Sequence, residues 1–475
     1  VVRIESVRGS IKQKIYLNID IPHNPNSTVR TDNLQKTCVI LPILGSSYRD
    51  CTKIYKCLQL HPIAAQTLND MCARYGDNII SLRHTQRNKI LDKAGFNIDT
   101  MTLDTSSSIG RKNAYEQARV NQNKLIQHIK QYNSKLEATS PKINSIACLN
   151  NMEVARDRCV YICIDEVWVS SQVDKRKYDA KAQDTKLISI RKRDRFYQEL
   201  SANQKKIVNR DALKDKFFKV YDNGELKTKS SKWLIHSVAT IEWDNKRHII
   251  TELNLNELLL SVLAFLIENS LLDTRRLMFF ADGAINLRNA IKRVFSFTQY
   301  SIILDWYHLS SNMADMINAG LKTTKEDKET IIKALLSYLW VYNYQNAIKL
   351  LKELVNSPKV KDKNKLNDAI KYIKNHIHEL TCYVLRNELG LPNSSSSVEK
   401  ANDVIISQRQ KHNGMSFTIV GSATIAQLSA AYQNNQLDNY LKASSKLKWF
   451  KYVEPTFDTE ECSNDNDPEF TLMVA

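Results

Sequence analysis

No stretch of 18 or more apolar residues occurs in this 475-residue chain, so nothing in it reads as a membrane-spanning helix. The richest apolar run, LNELLLSVLAFLIENSLL, carries Asn256, Glu257, Glu268 and Asn269 and reads as a buried helix. CxxC pairs are missing as well. The nine cysteines stand at 38, 51, 57, 72, 148, 159, 163, 382 and 462, without the spacing of a disulfide framework. Reduced thiols in a soluble, cytoplasmic protein are the expectation. A zinc alternative at Cys38, Cys51, Cys57 and His61 lacks the paired-ligand separations. A signal-peptide pattern is absent too, and the chain opens on Val1, as a trimmed or partial product would. Acids are scarce beside bases: 51 Asp and Glu face 68 Lys and Arg, a formal charge of +17. That balance calls for an anionic partner, nucleic acid ahead of an acidic membrane surface.

The length accommodates about three domains. Residues 1–140 read as an all-α front. Within 33–75 the patterns NLQKTCVILPIL, SYRDCTKIYKCL and IAAQTLNDMCARYG form three short helices. They resemble a helix-turn-helix whose last helix offers Gln66, Thr67, Asn69 and Asp70 to a major groove; compact trihelical packing is the alternative. Residues 111–135 predict an exposed helix, either a solvated connector or a self-associating one. The segment EATSPKINS marks a boundary near 140.

The centre alternates strands and helices. Runs at 160–169, 233–243 and 248–254 predict three neighbouring antiparallel strands, the last two joined by a DNK turn. A helix at 257–272, a strand at 276–281, a helix at 286–295 and a strand at 300–305 follow. The order βββαβαβ is the skeleton of an RNase H-like α/β core, a mixed five-stranded sheet with flanking helices, here spanning 155–309 and resuming at 392–450. The first and fourth strands of that skeleton are neighbours, which brings Asp165 of VYICIDEVWV toward Asp282 of LMFFADGAINL. Adjacent strands lie about 4.8 Å apart. Carboxylates at that separation repel unless a cation bridges them, and hard oxygen ligands favour Mg²⁺ or Mn²⁺. Gly283 permits the turn after Asp282 without a Cβ penalty.

Two insertions interrupt the core. Residues 171–232 hold 18 Lys or Arg against 9 Asp or Glu, including Lys175, Arg176, Lys177, Arg191, Lys192 and Arg193. They read equally as a phosphate-binding surface or as a solvated excursion. Residues 310–391 are helical throughout and end at GLPNSSSS. The serines offer N-caps to a helix near Val398 whose first turn holds Glu399. Arg409 and Lys411, flanking Gln410, are candidate phosphate contacts or simply a basic helix end. The tail, 451–475, has seven acids and no Lys or Arg between 454 and 469, a composition suited to a disordered, solubilising end.

ADGA around Asp282, LDWYH around Asp305 and His308, and SVEKANDVIISQRQKHNGMSF around Glu399 together resemble the DDE transposases of bacterial insertion sequences, the type with an all-helical insertion before the final Glu. The resemblance covers about 155–435 in architecture, with only the short motifs specific. It implies a catalytic and metal-binding triad of Asp165, Asp282 and Glu399 around two Mg²⁺ or Mn²⁺ ions. Asp305 and His308 would support that site, with core hydrogen bonding as the alternative. The implied activity is metal-dependent phosphodiester hydrolysis and transesterification on double-stranded DNA. A homodimer or larger assembly on paired element ends is implied too, near the nucleoid in a bacterium. Two departures stand out: ADGA is followed by INLRNA, without the tryptophan common in such enzymes, and Ser397 stands where glycine-rich residues are frequent. A transposase-derived DNA-binding protein without catalysis and an RNase H-like nuclease are the alternatives.

Overall fold

The strand and helix runs of the sequence come together in a computed structural model that describes residues 2–6, 9–13, 32–57, 63–110, 122–138, 140–143, 159–170, 186–188, 218–220, 226–228, 233–411, 417–437 and 448–454. Four helices precede the sheet: α1 (Asp32–Ile43), α2 (Tyr48–Cys57), α3 (Ala65–Lys93) and α4 (Gln122–Ser134). The front is not all-α, because two small hairpins accompany them, Val2–Ser6 with Gly9–Gln13 and Phe96–Asn97 with Thr102–Leu103.

The sheet comprises β1 (Cys159–Ser170), β2 (Trp233–Trp243), β3 (Lys246–Glu252), β4 (Arg276–Ala281) and β5 (Tyr300–Leu304), in the order β3-β2-β1-β4-β5. The first three strands are antiparallel neighbours, while β4 runs parallel to both β1 and β5. Asp244 and Asn245 make the β2–β3 turn with φ of 44° and 61°, the left-handed pair that a two-residue hairpin requires. β1 is almost continuously apolar because both its faces are covered. Val160, Ile162 and Ile164 enter one core, and Cys159, Tyr161, Cys163, Val167 and Val169 enter another.

Helix α5 (Leu255–Glu268) fills the first of these cores, with every residue from Leu258 to Phe265 buried. Asn254 caps it by accepting from the Asn256 N–H at 2.8 Å. A helix buried on all sides has no use for a polar face, and each fully buried Leu or Phe stabilises the fold by about 1.5–3 kcal/mol. Helix α6 (Ile285–Val294) then crosses between β4 and β5.

The helical insertion follows β5 directly. It contains α7 (Trp306–Gly320), α8 (Lys325–Trp340), α9 (Tyr344–Val355), α10 (Lys363–Asn375) and α11 (Tyr383–Glu388). Thr324, Asn343 and Asp362 cap three of them through side-chain oxygens. Their apolar faces, with Leu309, Met313, Leu339, Leu351, Leu366 and Ile373, close a separate core. The chain returns to the sheet as α12 (Ser396–Asn402), passes through a π-helical turn at Asp403–Ser407, and later forms α13 (Ile419–Gln433). Val398, Ala401, Ile405 and Ile406 of this stretch cover the second face of the sheet.

Three expectations change. The third front helix does not stop near Tyr75 but continues to Lys93. Gly76 sits inside it at the crossing with α13, where a Cβ would lie 2.4 Å from Thr424 Cβ. Val39, Ile43, Cys72, Ile79 and Leu91 accordingly share a core with the sheet, so the front helices are part of its packing. The helix expected over 111–135 is described only from Gln122, and it is no solvated connector: Leu125 and Ile129 are buried in the core of the helical insertion. Within the basic insertion the described residues form a three-stranded antiparallel sheet of Lys186–Ile188, Phe218–Val220 and Leu226–Thr228. The tail beyond 454 lies outside the described residues. Among the described residues, no helix is long and apolar enough to cross a membrane.

Candidate acidic site at the strand ends

Register decides which acids meet. Cys163 of β1 pairs with Phe280 of β4, and Ala281 of β4 pairs with Leu304 of β5. Asp165 stands two residues past Cys163 and Asp282 two past Phe280, so these two acids are level on adjacent parallel strands. Asp305, one past Leu304, is level with Asp282 on the next strand, and its N–H donates to Ala281 O at 2.9 Å. Alternation fixes the face: Cys163 and Phe280 point toward the α12 side of the sheet, and residues two positions further on point the same way. The crevice beyond the carboxyl ends of parallel strands is where α/β sheets commonly bind ligands.

Asp165 accepts two hydrogen bonds, from the Glu166 N–H to Oδ1 at 2.8 Å and from Asn402 Nδ2 to Oδ2 at 2.7 Å. Burial pushes its carboxyl above the ordinary range, and the negative charge of Asp282 pushes the same way. The neighbouring Glu166 is raised too, by burial first and then by Asp282 and Asp165. Asp282 Oδ1 accepts from the Ala284 N–H at 2.8 Å across a turn in which Gly283 has φ of +91°. Only glycine adopts that backbone without strain.

Glu399 lies in the first turn of α12, half-exposed, with Oε1 3.9 Å from His308 Nε2. Asn402 comes three residues later, on the same helix face. The helix thus delivers the Asn402 amide to Asp165 and sets Glu399 beside His308. Among the described residues, however, no three acid, histidine or cysteine side chains are gathered closely enough to hold a metal ion. Charge couples Asp165 with Asp282, Glu166 and His308, and couples Glu166 with Asp282, while Glu399 lies beside His308.

Asp305 has a different job from its neighbours. It is buried, caps α7 by accepting from the His308 N–H at 3.0 Å, and takes both the N–H and the hydroxyl of Ser395 on its other oxygen. It therefore clasps the two ends of the helical insertion together. The serines do not cap α12 as expected, because the Ser395 hydroxyl is committed to Asp305. Ser397 instead bonds Thr240 of β2 at 2.9 Å.

The remaining candidates scatter. Gln66, Thr67 and Asn69 lie in the first turns of α3, partly exposed, with Gln66 Nε2 donating to Asp70 at 2.7 Å. Leu68, Met71 and Cys72 bury the opposite side against α1 and α2. Lys175, Arg176, Lys177, Arg191, Lys192 and Arg193 fall outside the described residues. Arg409 is no phosphate contact: it is 1% exposed, its guanidinium 5.1 Å from the rings of both Tyr48 and Phe417. Lys411 is exposed. Of the zinc alternative, Cys38 and Cys51 are buried and Cys57 is exposed, while His61 lies outside the described residues.

Sequence reasoning missed Asn402, Ser395, Tyr372 and His376. Of these only Asn402 left a signal, its i+3 spacing from Glu399. Trp168, Ile285 and Tyr307, which follow Asp165, Asp282 and Asp305 in sequence, are 52%, 62% and 61% exposed. No known protein-family model matches the chain, and no curated protein matches it.

Proposed function

We propose that the chain is a DDE transposase with an RNase H-like core, cutting and joining DNA with divalent cations at Asp165, Asp282 and Glu399. One observation carries the reading. Asp165 within β1 and Asp282 just past the end of β4 stand level on adjacent parallel strands, and α12, arriving from beyond an all-helical insertion, packs on the same sheet face and carries Glu399. The formal charge of +17 supplies the attraction for DNA phosphates.

The donor chemistry fits a hard cation. Burial first, and then the neighbouring Asp282 charge, raise the Asp165 carboxyl. Mg²⁺ or Mn²⁺ prefers such oxygen donors. When bound, the cations would activate water or a DNA 3′-hydroxyl and stabilise the leaving oxygen. The protein's own part is orientation. Asn402 and the Glu166 N–H fix the plane of the Asp165 carboxylate, the Ala284 N–H fixes Asp282, and His308 faces Glu399. Asp305 supports from behind by holding α7 and Ser395 in place.

Nicking of supercoiled plasmid DNA with Mn²⁺ or Mg²⁺ tests this. The wild type nicks, and Asp165→Asn, Asp282→Asn and Glu399→Gln each lose at least about a hundredfold in rate. Equal nicking by wild type and Asp282→Asn rejects the triad. DNA binding without nicking in any protein indicates a chain that has lost catalysis, and nicking without joining indicates a nuclease.

A further inference from the structure

The helical insertion reaches back to the turn that carries Asp282. Tyr372 Oη, on α10, donates to the Asp282 backbone carbonyl at 3.3 Å and accepts from Asn312 Nδ2 at 3.3 Å. One turn on, His376 Nε2 lies 3.0 Å from the Gly283 carbonyl and Nδ1 2.7 Å from the Tyr372 carbonyl, and in the Nε2–H tautomer the ring donates to Gly283. Three residues further, Glu379 forms an ion pair with Arg288 of α6, the helix that leaves this turn, and its backbone carbonyl receives the Leu304 N–H at 2.9 Å. The fit is close on the other side as well. A Cβ at Gly283 would lie 2.6 Å from Tyr372 Oη and 3.1 Å from His376 Nε2.

We infer that Tyr372 and His376 are positioning residues for Asp282, so that the insertion sets the affinity of the acidic site for its cation. This rests on the reading of Asp165, Asp282 and Glu399 as cation ligands. The physical reason is the geometry of the turn. Both carbonyls of the Asp282–Gly283 pair are held from one short stretch of the insertion, while among the described residues the carboxylate itself is anchored only by the Ala284 N–H. Backbone held at two successive carbonyls cannot rotate the peptide between them, and the direction of the Asp282 side chain follows from that peptide. Neither Tyr372 nor His376 needs to touch DNA or cation.

The test uses the full chain, Mn²⁺ as the probe, and four proteins: wild type, Tyr372→Phe, His376→Gln and Asp282→Asn. Mn²⁺ binding is followed by water-proton relaxation, plasmid nicking is measured across Mn²⁺ concentration, and thermal melts report folding. Tyr372→Phe and His376→Gln are expected to raise the half-saturating Mn²⁺ concentration roughly tenfold, the low end for residues that orient a metal ligand. Nicking at saturating Mn²⁺ returns to near the wild-type rate, whereas Asp282→Asn stays inactive throughout. A merely structural role lowers the melting temperature and leaves half-saturation unmoved. Wild-type half-saturation in both Tyr372→Phe and His376→Gln, with Asp282→Asn inactive, overturns the positioning role and leaves the site standing. A wild type that neither binds Mn²⁺ nor nicks DNA overturns the site and this role with it. Should His376→Gln fail to fold, Tyr372→Phe, which removes a single oxygen, decides alone.

Discussion

Asn402 Nδ2 donates to Asp165 Oδ2 at 2.7 Å, joining α12 to β1 across 237 positions of sequence. Asn402 is buried, so removing its amide leaves a carboxylate oxygen short of a donor where water has little access. Such a loss costs about 1–3 kcal/mol. Asn402→Ala is therefore expected to lower the unfolding free energy by that margin, read as a lower urea midpoint, and to lower the maximal nicking rate. An unchanged midpoint would show that the contact contributes nothing to holding the helix.

The raised carboxyl of Asp165 makes a signed statement about pH. Its folded pKa lies above its unfolded value of about 4, so the folded protein binds this proton more tightly. The stability it contributes is complete below about pH 4 and is lost as pH rises through the folded value. Asp165→Asn removes that loss. Thermal melts in the absence of divalent ions should show the variant gaining on wild type as pH rises from 4 to 7; a difference constant with pH would contradict the burial of this charge.

His236 gives the opposite slope. Burial lowers its pKa from 6.5 to about 4, with Nε2 bonded to the Ser422 hydroxyl at 2.6 Å. Burial lowers His248 as well. The neutral form is favoured in the fold, so the stability is present above pH 6.5 and is lost as pH falls toward 4. For His236 the loss is about 3 kcal/mol. His236→Gln should flatten part of the acid limb of a stability profile, and a profile of unchanged slope would refute a buried neutral ring.

At Gly76, helix propensity and packing disagree. Alanine in a helix interior ordinarily stabilises by about 1 kcal/mol over glycine. Here the added Cβ meets Thr424 Cβ at 2.4 Å and its backbone at 2.7 Å, and overpacking of this kind costs about 1–3 kcal/mol. Gly76→Ala should lower the melting temperature. A rise would mean that α3 and α13 separate without penalty.

Asp305 and Asp282 should part company under mutation. Asp305 is buried and accepts from three donors, so Asp305→Ala is expected to destabilise by about 3–5 kcal/mol, as for other broken buried charged networks. Asp282→Ala removes a carboxylate bonded to one local N–H and should leave the melting temperature within a few degrees of wild type while abolishing nicking. Equal destabilisation by the two would erase the distinction between clasp and ligand.

Much of the fold was legible because its signals are local. The apolar runs of β1 to β5, the Asp244–Asn245 turn and the all-apolar helix α5 each announce themselves within a dozen residues, since side-chain periodicity and turn backbone depend on near neighbours alone. The acids at the strand ends could be found for the same reason. The end of the third front helix misled because what carries it past Tyr75 to Lys93 is packing against α13 and the sheet, which no local pattern shows. Arg409 misled because a basic residue at a helix end is exposed unless Tyr48 and Phe417, far away in sequence, close over it.

The sequence by itself determined the order of strands and helices, the basic balance, and three acids in contexts suited to a cation. Tertiary structure alone decided that Asp305 clasps the insertion, that Asn402 holds Asp165, and that Tyr372 and His376 reach the Asp282 turn. The reason is distance along the chain. These contacts join residues 90 or more positions apart, and such pairings exist only once strand register and helix packing have brought their partners to the same place.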